Sequence, residues 1–200
     1  MTSLSFQGPR VRLGAVNPDV IAEAFFRWKH DMDYYLPLDS DPPTLYSRHQ
    51  HKQWEEKWLE KGPSNDSFFF GIHADPDRLV GFIAIWDIRW ADGECFVSIG
   101  IGEADYRSKG YGTEAMNLML AFCFNELNLR RVSLIVYDFN ERAQRSYRKN
   151  GFVLEGRIRE AVKRDGQRWS WLCMGVLRQE WRATKADGNA AAVLAAVRAL

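Results

Sequence analysis

The segment DYRSKGYGTEAM, Asp105 to Met116, places Arg107, Lys109, Gly110 and Gly112 directly ahead of a long apolar run. A solvated loop has this composition, and so does a seat for phosphates; the flanking sequence decides between them. Upstream, ECFVSIGIG (Glu94 to Gly102) reads as a strand, rich in β-branched and aromatic residues. Downstream, YGTEAMNLMLAFCFNELN reads as a helix that is apolar nearly all round and therefore buried. A helix start leaves several backbone N–H groups unpartnered and carries partial positive charge. Glycines let the backbone approach an anion closely, and Arg107 and Lys109 add formal charge. Residues Arg107, Ser108, Lys109, Gly110, Tyr111, Gly112 and Thr113 thus read as a diphosphate cradle. The segment is neither GxxxxGK[ST] nor GxGxxG, which excludes those two kinds of nucleotide loop.

Working outward, GPRVRLGAV reads as a short strand. NPDVIAEAFFRWKHDM starts with Asn17 as cap and Pro18 at the first helical position, and sets Ile21, Phe25, Trp28 and Met32 on one face. After DSDPPT, a second helix is expected through LYSRHQHKQWEEKWLEKG, with Trp54 and Trp58 one turn apart and Gly62 as its stop. SFFFGIHA, RLVGFIAIWDIRW and ECFVSIGIG follow as an antiparallel meander, joined at DPD and ADG. RRVSLIVYDFN is a strand and ERAQRSYRKNG a helix ended by Gly151. FVLEGRIREAV and RWSWLCMGVLRQEW are the last two strands, turned at Asp165-Gly166.

At 200 residues with a formal charge of +1, the chain reads as one domain with no field to draw nucleic acid or an anionic membrane. The expected division is a domain over 1–182 and an Ala-rich helical tail over 183–200, where Val193, Leu194, Val197 and Leu200 share a face. The three cysteines, Cys95, Cys123 and Cys173, form no CxxC pair, against both a disulfide framework and a zinc site. His49 and His51 point apart on a helix, so no metal is expected. There is no signal-peptide core and no apolar span, and the expected location is cytoplasmic.

RSKGYG (Arg107 to Gly112) matches the (Q/R)xxGx(G/A) element of the GNAT superfamily of acyl-CoA-dependent N-acyltransferases. NERAQRSYRKNGF resembles that family's N-x-x-A-x-x-x-Y-x-K-x-G-F segment, with Asn140, Ala143, Tyr147, Lys149, Gly151 and Phe152 in place. The likeness extends over residues 8 to 182. RWKHD, NLRRV and GFVLEGRIREAVKRDGQ look like the branch of ribosomal-protein N-terminal acetyltransferases.

The resemblance implies an α/β (α+β) GNAT fold: a mixed, largely antiparallel sheet flanked by helices, with its fourth and fifth strands splayed apart. It implies acetyl-CoA as co-substrate, its pantetheine arm running along SIGIG with Ile99 and Ile101 as backbone contacts. It makes Tyr147 the acid for the departing thiolate and Asn140 an anchor for the pantetheine amide, beside Ala143 and Arg145. Asn140 reads equally as a helix cap, and Arg142, Arg145 and Lys149 as a solvated basic stripe. Many members carry a Glu on the fourth strand; here Ser98 stands near that place. Asp87 and Glu94 are then the first choices for general base, with Glu103, Asp138 and a water chain behind them.

The expected acceptor is a primary amine, on a protein N-terminus or a small molecule, in a pocket of the first two helices and final hairpin with Trp28, Tyr34, Tyr35, Trp54 and Trp86. A homodimer is the expected assembly. The alternative is a GNAT-like module that binds acyl-CoA without catalysis.

Overall fold

The computed structural model describes residues 5–60, 65–75 and 77–187. Its framework is a seven-stranded sheet in the order β1-β2-β3-β4-β5-β7-β6. The strands are β1 (Arg12–Gly14), β2 (Phe68–Ala74), β3 (Arg78–Arg89), β4 (Glu94–Ile101), β5 (Arg131–Tyr137), β6 (Val153–Arg164) and β7 (Gln167–Leu177). Neighbours pair antiparallel except β4 and β5, which run parallel. A parallel pair needs a long crossover, and the buried helix predicted from the opening segment supplies it.

The helices are α1 (Pro18–Lys29), α2 (Met32–Tyr35), α3 (Arg48–Glu60), α4 (Tyr111–Ala121), α5 (Glu141–Lys149) and α6 (Arg178–Asp187). Asn17 caps α1 as expected, its side-chain oxygen accepting from the Asp19 amide at 2.9 Å. Ile21, Phe25 and Trp28 are buried, but Met32 is 36% exposed. The chain breaks after Lys29 and restarts at Asp31, whose carboxylate caps α2, so Met32 leaves the α1 face. The side chains of Trp54 and Trp58, and Gly62, lie outside the described residues.

One layer of core lies between the sheet and α4. It contains Val80, Ile83 and Ile85 of β3, Cys95 and Val97 of β4, Val132, Leu134 and Val136 of β5, and Met116 and Met119 of α4. A smaller cluster on the other face packs Ile21, Phe25, Trp28 and Tyr34 on Leu79 and Phe82. The crossover helix does not stay α-helical to its end. After Ala121 it widens into a π turn, Phe122–Glu126, which buries Phe122, Cys123 and Phe124 together.

The final hairpin turns at Asp165 (φ 49°) and Gly166 (φ 76°), the two positive φ values a tight type I′ connection requires. The last strand is shorter than expected. It ends at Leu177, and Arg178 to Trp181 begin α6 instead. The Leu177 amide donates to Glu180 at 2.8 Å, and Trp181 packs on Phe124 with ring centroids 5.4 Å apart. Because α6 buries Trp181, it runs unbroken through positions 182 and 183, where the composition changes. Residues 188–200, with most of the Ala-rich tail, lie outside the described residues.

Candidate functional site

The parallel pairing of β4 with β5 is short. It covers Glu94 with Arg131, Cys95 with Val132 and Phe96 with Ser133. Beyond Phe96 the strands diverge: β5 continues along β7 to Tyr137, while Val97 to Ile101 keep only β3. The resulting V opens into a cleft of about 400 Å³. Its β4 wall presents backbone. Gly102 donates its amide to Val80 of β3 at 2.9 Å. In an antiparallel pair the residue that faces the neighbour alternates, so Gly100 and Ser98 also face β3. The peptide groups of Ile99 and Ile101 face the cleft. The Ile101 carbonyl is taken by Arg107 Nε at 2.9 Å; the Ile99 groups and the Ile101 amide have no partner on β5, and edge groups of this kind call for one, which an extended amide-bearing chain fits.

The cradle stands at the mouth of the V. A 3-10 turn, Ala104–Tyr106, leads into Ser108 at φ 59° and Gly110 at φ 90°. Gly110 precedes α4 without any side-chain cap. The first intrahelical bond there runs from Glu114 N to Gly110 O, at 3.0 Å. The amides of Tyr111, Gly112 and Thr113 precede it and lack intrahelical acceptors. Three helix-start amides without intrahelical acceptors therefore stand at the end of the cleft, at the segment where the sequence leads one to expect an anion seat.

The basic residues are used differently from expectation. Arg107 turns inward: its side chain is 9% exposed and pairs with Asp31 at 2.7 Å. It also donates through Nε to the Ile101 carbonyl at 2.9 Å and through Nη2 to the Gly102 carbonyl. Lys109 is exposed and contributes its carbonyl to Arg10, at 2.6 Å. Arg10 was missed by the sequence reading. Its Nε donates to Glu114 at 2.9 Å, and the Arg10 and Val11 amides donate to the other Glu114 oxygen at 2.8 and 3.1 Å. An N-terminal arm thus clamps the cradle from behind. Tyr111 packs between Tyr106 and the Arg10 guanidinium.

The β5 wall is completed by α5. Asn140 is its cap, accepting from the Ala143 amide at 3.2 Å, and also lines the cleft with Ala143. Arg145 stands on the exposed rim and pairs with Glu141 at 3.2 Å. Thr113 and Ser146 share a hydroxyl bond of 2.8 Å that ties α4 to α5. Tyr147 lines the cleft with its ring against Phe152, centroids 5.8 Å apart. Burial pushes its phenol up to about 12. Among the described residues its hydroxyl has no hydrogen-bond partner.

The proposed bases are not brought into the cleft. Asp87 is exposed, at φ 51°, in the β3 bulge level with the closed end of the V. Glu94 starts β4 at that same end and pairs with Arg89 and Arg131. Glu103 is held by Trp28 Nε1 (3.0 Å) and Arg27 (2.8 Å). Burial pushes its carboxyl up, but those bonds and the charges of Arg27 and Arg78 outweigh it and the net shift is downward. Asp138 pairs with Arg157 at 2.6 Å. Among the described residues lining the cleft there is no Asp or Glu. Ser98 is there, accepting from Trp86 Nε1 at 3.0 Å.

Of the aromatics expected around an acceptor, Tyr34 lines the cleft with Pro37 and Leu38. Trp28 is core, Tyr35 is buried, and Trp86 stacks on Phe96 at 4.9 Å. Among the described residues no three His, Cys, Asp or Glu side chains gather as a metal site, and no helix is long and apolar enough to cross a membrane.

The family described as "Acetyltransferase (GNAT) domain" matches residues 10–153. An uncharacterized N-acetyltransferase of Bacillus subtilis, YokL, is 31% identical over 135 residues, covering 68% of this chain and 73% of its own. The spermidine N(1)-acetyltransferase of Escherichia coli K12 is 28% identical over 139 residues, 70% of this chain and 67% of its own. Among solved structures, the spermidine N-acetyltransferase of Vibrio cholerae in complex with CoA and spermine superposes with a TM-score of 0.71 at 21% identity. That alignment covers 88% of this chain and 99% of the other.

Proposed function

Because the chain belongs to the GNAT acetyltransferases, and is thereby an acetyl-CoA-dependent N-acetyltransferase, we propose that it acetylates a primary amine by direct attack inside the β4–β5 cleft. The observation that carries this reading is the split after Phe96 and Ser133, with cleft-facing peptide groups on one side and helix-start amides at its mouth.

Acetyl-CoA supplies an activated acyl group on a thioester. In this reading the Ile99 peptide groups and the Ile101 amide bind the donor's arm, with Asn140 at its amide. The amides of Gly110 to Thr113 bind the diphosphate. A cleft-facing amide of β4 also holds the thioester oxygen as negative charge develops on it. The amine nitrogen bonds to the acyl carbon, and the carbon–sulfur bond breaks. Tyr147 donates a hydrogen bond to the departing sulfur. With the phenol near 12 and an ordinary thiol near 8.5, the proton stays mostly on oxygen. The proton lost by the amine passes through water beside Ser98 and ends on the thiol, which balances the reaction without a carboxylate base.

The acceptor side, with Tyr34, Pro37, Leu38, Ser98 and Ile135, is neutral. A polycation such as spermidine is best matched by carboxylates. The described lining therefore favours an amine on a neutral or apolar body, of which a peptide N-terminus is one kind. A cytoplasmic homodimer belongs to the same reading, and sedimentation of the purified chain tests the dimer.

Thiol release from acetyl-CoA, followed with a panel of neutral peptides, amino compounds and spermidine, tests the function. Release with a peptide or simple amine supports it. CoA binding without release for any amine favours the non-catalytic module instead.

A further inference from the structure

We infer that Arg107 is a positioning residue that ties the acceptor-side wall of the cleft to the β4 edge, rather than a phosphate ligand. This rests on the acetyl-transfer reading above, since it assigns the two walls to acceptor and donor.

The contacts of Arg107 run from the end of β4 to the start of α2, not toward the helix-start amides. Nε and Nη2 hold the carbonyls of Ile101 and Gly102, the end of the strand expected to carry the donor's arm. Nη2 also pairs with Asp31 Oδ2 at 2.7 Å. The other Asp31 oxygen accepts from the Asp33 amide at 3.0 Å and so starts α2. That helix carries Tyr34, whose ring centroid lies 5.8 Å from the Arg107 guanidinium. Tyr34 in turn lies close on β4: a Cβ at Gly100 would come within 2.9 Å of its ring. Tyr34 and the following Pro37 and Leu38 form the neutral wall.

One guanidinium thus joins the end of β4 to the start of α2. Its planar fork serves two carbonyls and a carboxylate at once, which a lysine ammonium does not reproduce. The donor's thioester is placed by β4 and the amine by α2 and its turn. Fixing one to the other fixes the attack distance, on which the rate depends steeply. The sequence places Arg107 in the phosphate motif; the fold uses it to couple two binding surfaces.

The test compares kcat/KM of wild type and Arg107→Met with two donors. Acetyl-CoA carries the diphosphate; S-acetylpantetheine has the same thioester and arm without it. A positioning role predicts the same loss with both donors, about tenfold or more, and a raised KM for the amine. Asp31→Asn shifts both donors the same way, and the double variant loses less than the product of the single losses. A loss confined to acetyl-CoA, with S-acetylpantetheine unaffected, identifies a phosphate ligand and overturns the inference. If Arg107→Met does not fold, Asp31→Asn decides alone: an unchanged amine KM overturns the inference. A wild-type protein inactive with both donors instead defeats the acetyl-transfer reading, before any variant is made.

Discussion

Phe96 and Ser133 are the last residues that pair β4 with β5. One residue later, Val97 has a neighbour on β3 but none on β5. The site follows from this loss of register. A sheet that stayed zipped would satisfy the Ile99 and Ile101 peptide groups internally and leave no slot for an extended ligand. Ile99→Pro removes one cleft-facing amide while leaving the β3-facing bonds of Ser98 and Gly100, the placement at which a strand tolerates proline. The expected result is a ten- to hundredfold lower kcat/KM for acetyl-CoA, roughly the loss when one preorganised donor is removed, with an unchanged far-ultraviolet circular dichroism spectrum.

Tyr147→Phe tests the hydrogen bond to sulfur. The expected outcome is a kcat lower by about ten- to a hundredfold, as for one hydrogen bond to a charged group worth roughly 1.5–3 kcal/mol, with CoA affinity unchanged by calorimetry. The pH dependence carries a second check. Burial holds the phenol near 12, so Tyr147 keeps its proton throughout the neutral and mildly alkaline range. The wild-type to variant ratio of kcat should therefore stay flat from pH 6 to pH 10. A ratio that collapses near pH 8 would assign the role to another group.

Gly110 sits at φ 90°, and a Cβ there would come within 2.9 Å of an Arg10 guanidinium nitrogen. Gly110→Ala must strain the left-handed turn, at about 1 kcal/mol or more, and displace the Arg10 clamp. CoA affinity should fall at least fivefold, measured by calorimetry, while Tm falls only slightly.

Glu114 accepts from the Arg10 and Val11 amides and from Arg10 Nε. Glu114→Gln halves its acceptor capacity and removes its charge. The loss expected is about 1–3 kcal/mol of stability, as for a partly buried charged hydrogen-bond acceptor, read from urea unfolding. CoA binding should weaken in parallel, because the arm released is the one that backs the cradle.

His51 is 1% exposed between α1 and α3, and burial, with Lys29 and His30 nearby, depresses its imidazole to about 4. A depressed value means that the folded chain holds the neutral ring while the unfolded chain takes up a proton near 6.5. The contribution is thus fully present above pH 6.5 and is lost as pH falls toward 4. Melting curves at pH 7.5 and 4.5 should show His51→Gln closing its Tm gap to wild type on acidification. A gap that widens in acid contradicts the assignment.

What the sequence made legible was local. The cap at Asn17, the hairpin at Asp165-Gly166, the strand–cradle–helix order and the Asn140–Tyr147 face each depend on residues within about ten positions. What stayed hidden was set by distant contacts. Arg10 meets Glu114 across 104 positions, and no local pattern marks either as the other's partner. Arg107 lies in the phosphate motif by spacing, yet Asp31 turns it inward. Asp87 and Glu94 lie at or close to the fourth strand in sequence, but the β4–β5 pairing puts them at the closed end of the V. Leu177 to Trp181, LRQEW, follow directly on the apolar strand run and end on an aromatic, which fits a longer strand, but Glu180 accepts from the Leu177 amide and Trp181 packs on Phe124, so the segment turns into a helix.

In the proposed function, backbone amides on the β4 edge and at the start of α4 receive coenzyme A. Residue-resolved amide hydrogen exchange with and without CoA tests it most directly. Exchange should slow at Ile99, Ile101, Tyr111, Gly112 and Thr113 when CoA is added. Unchanged exchange at all five in the presence of saturating CoA, or protection confined to another face, would contradict it.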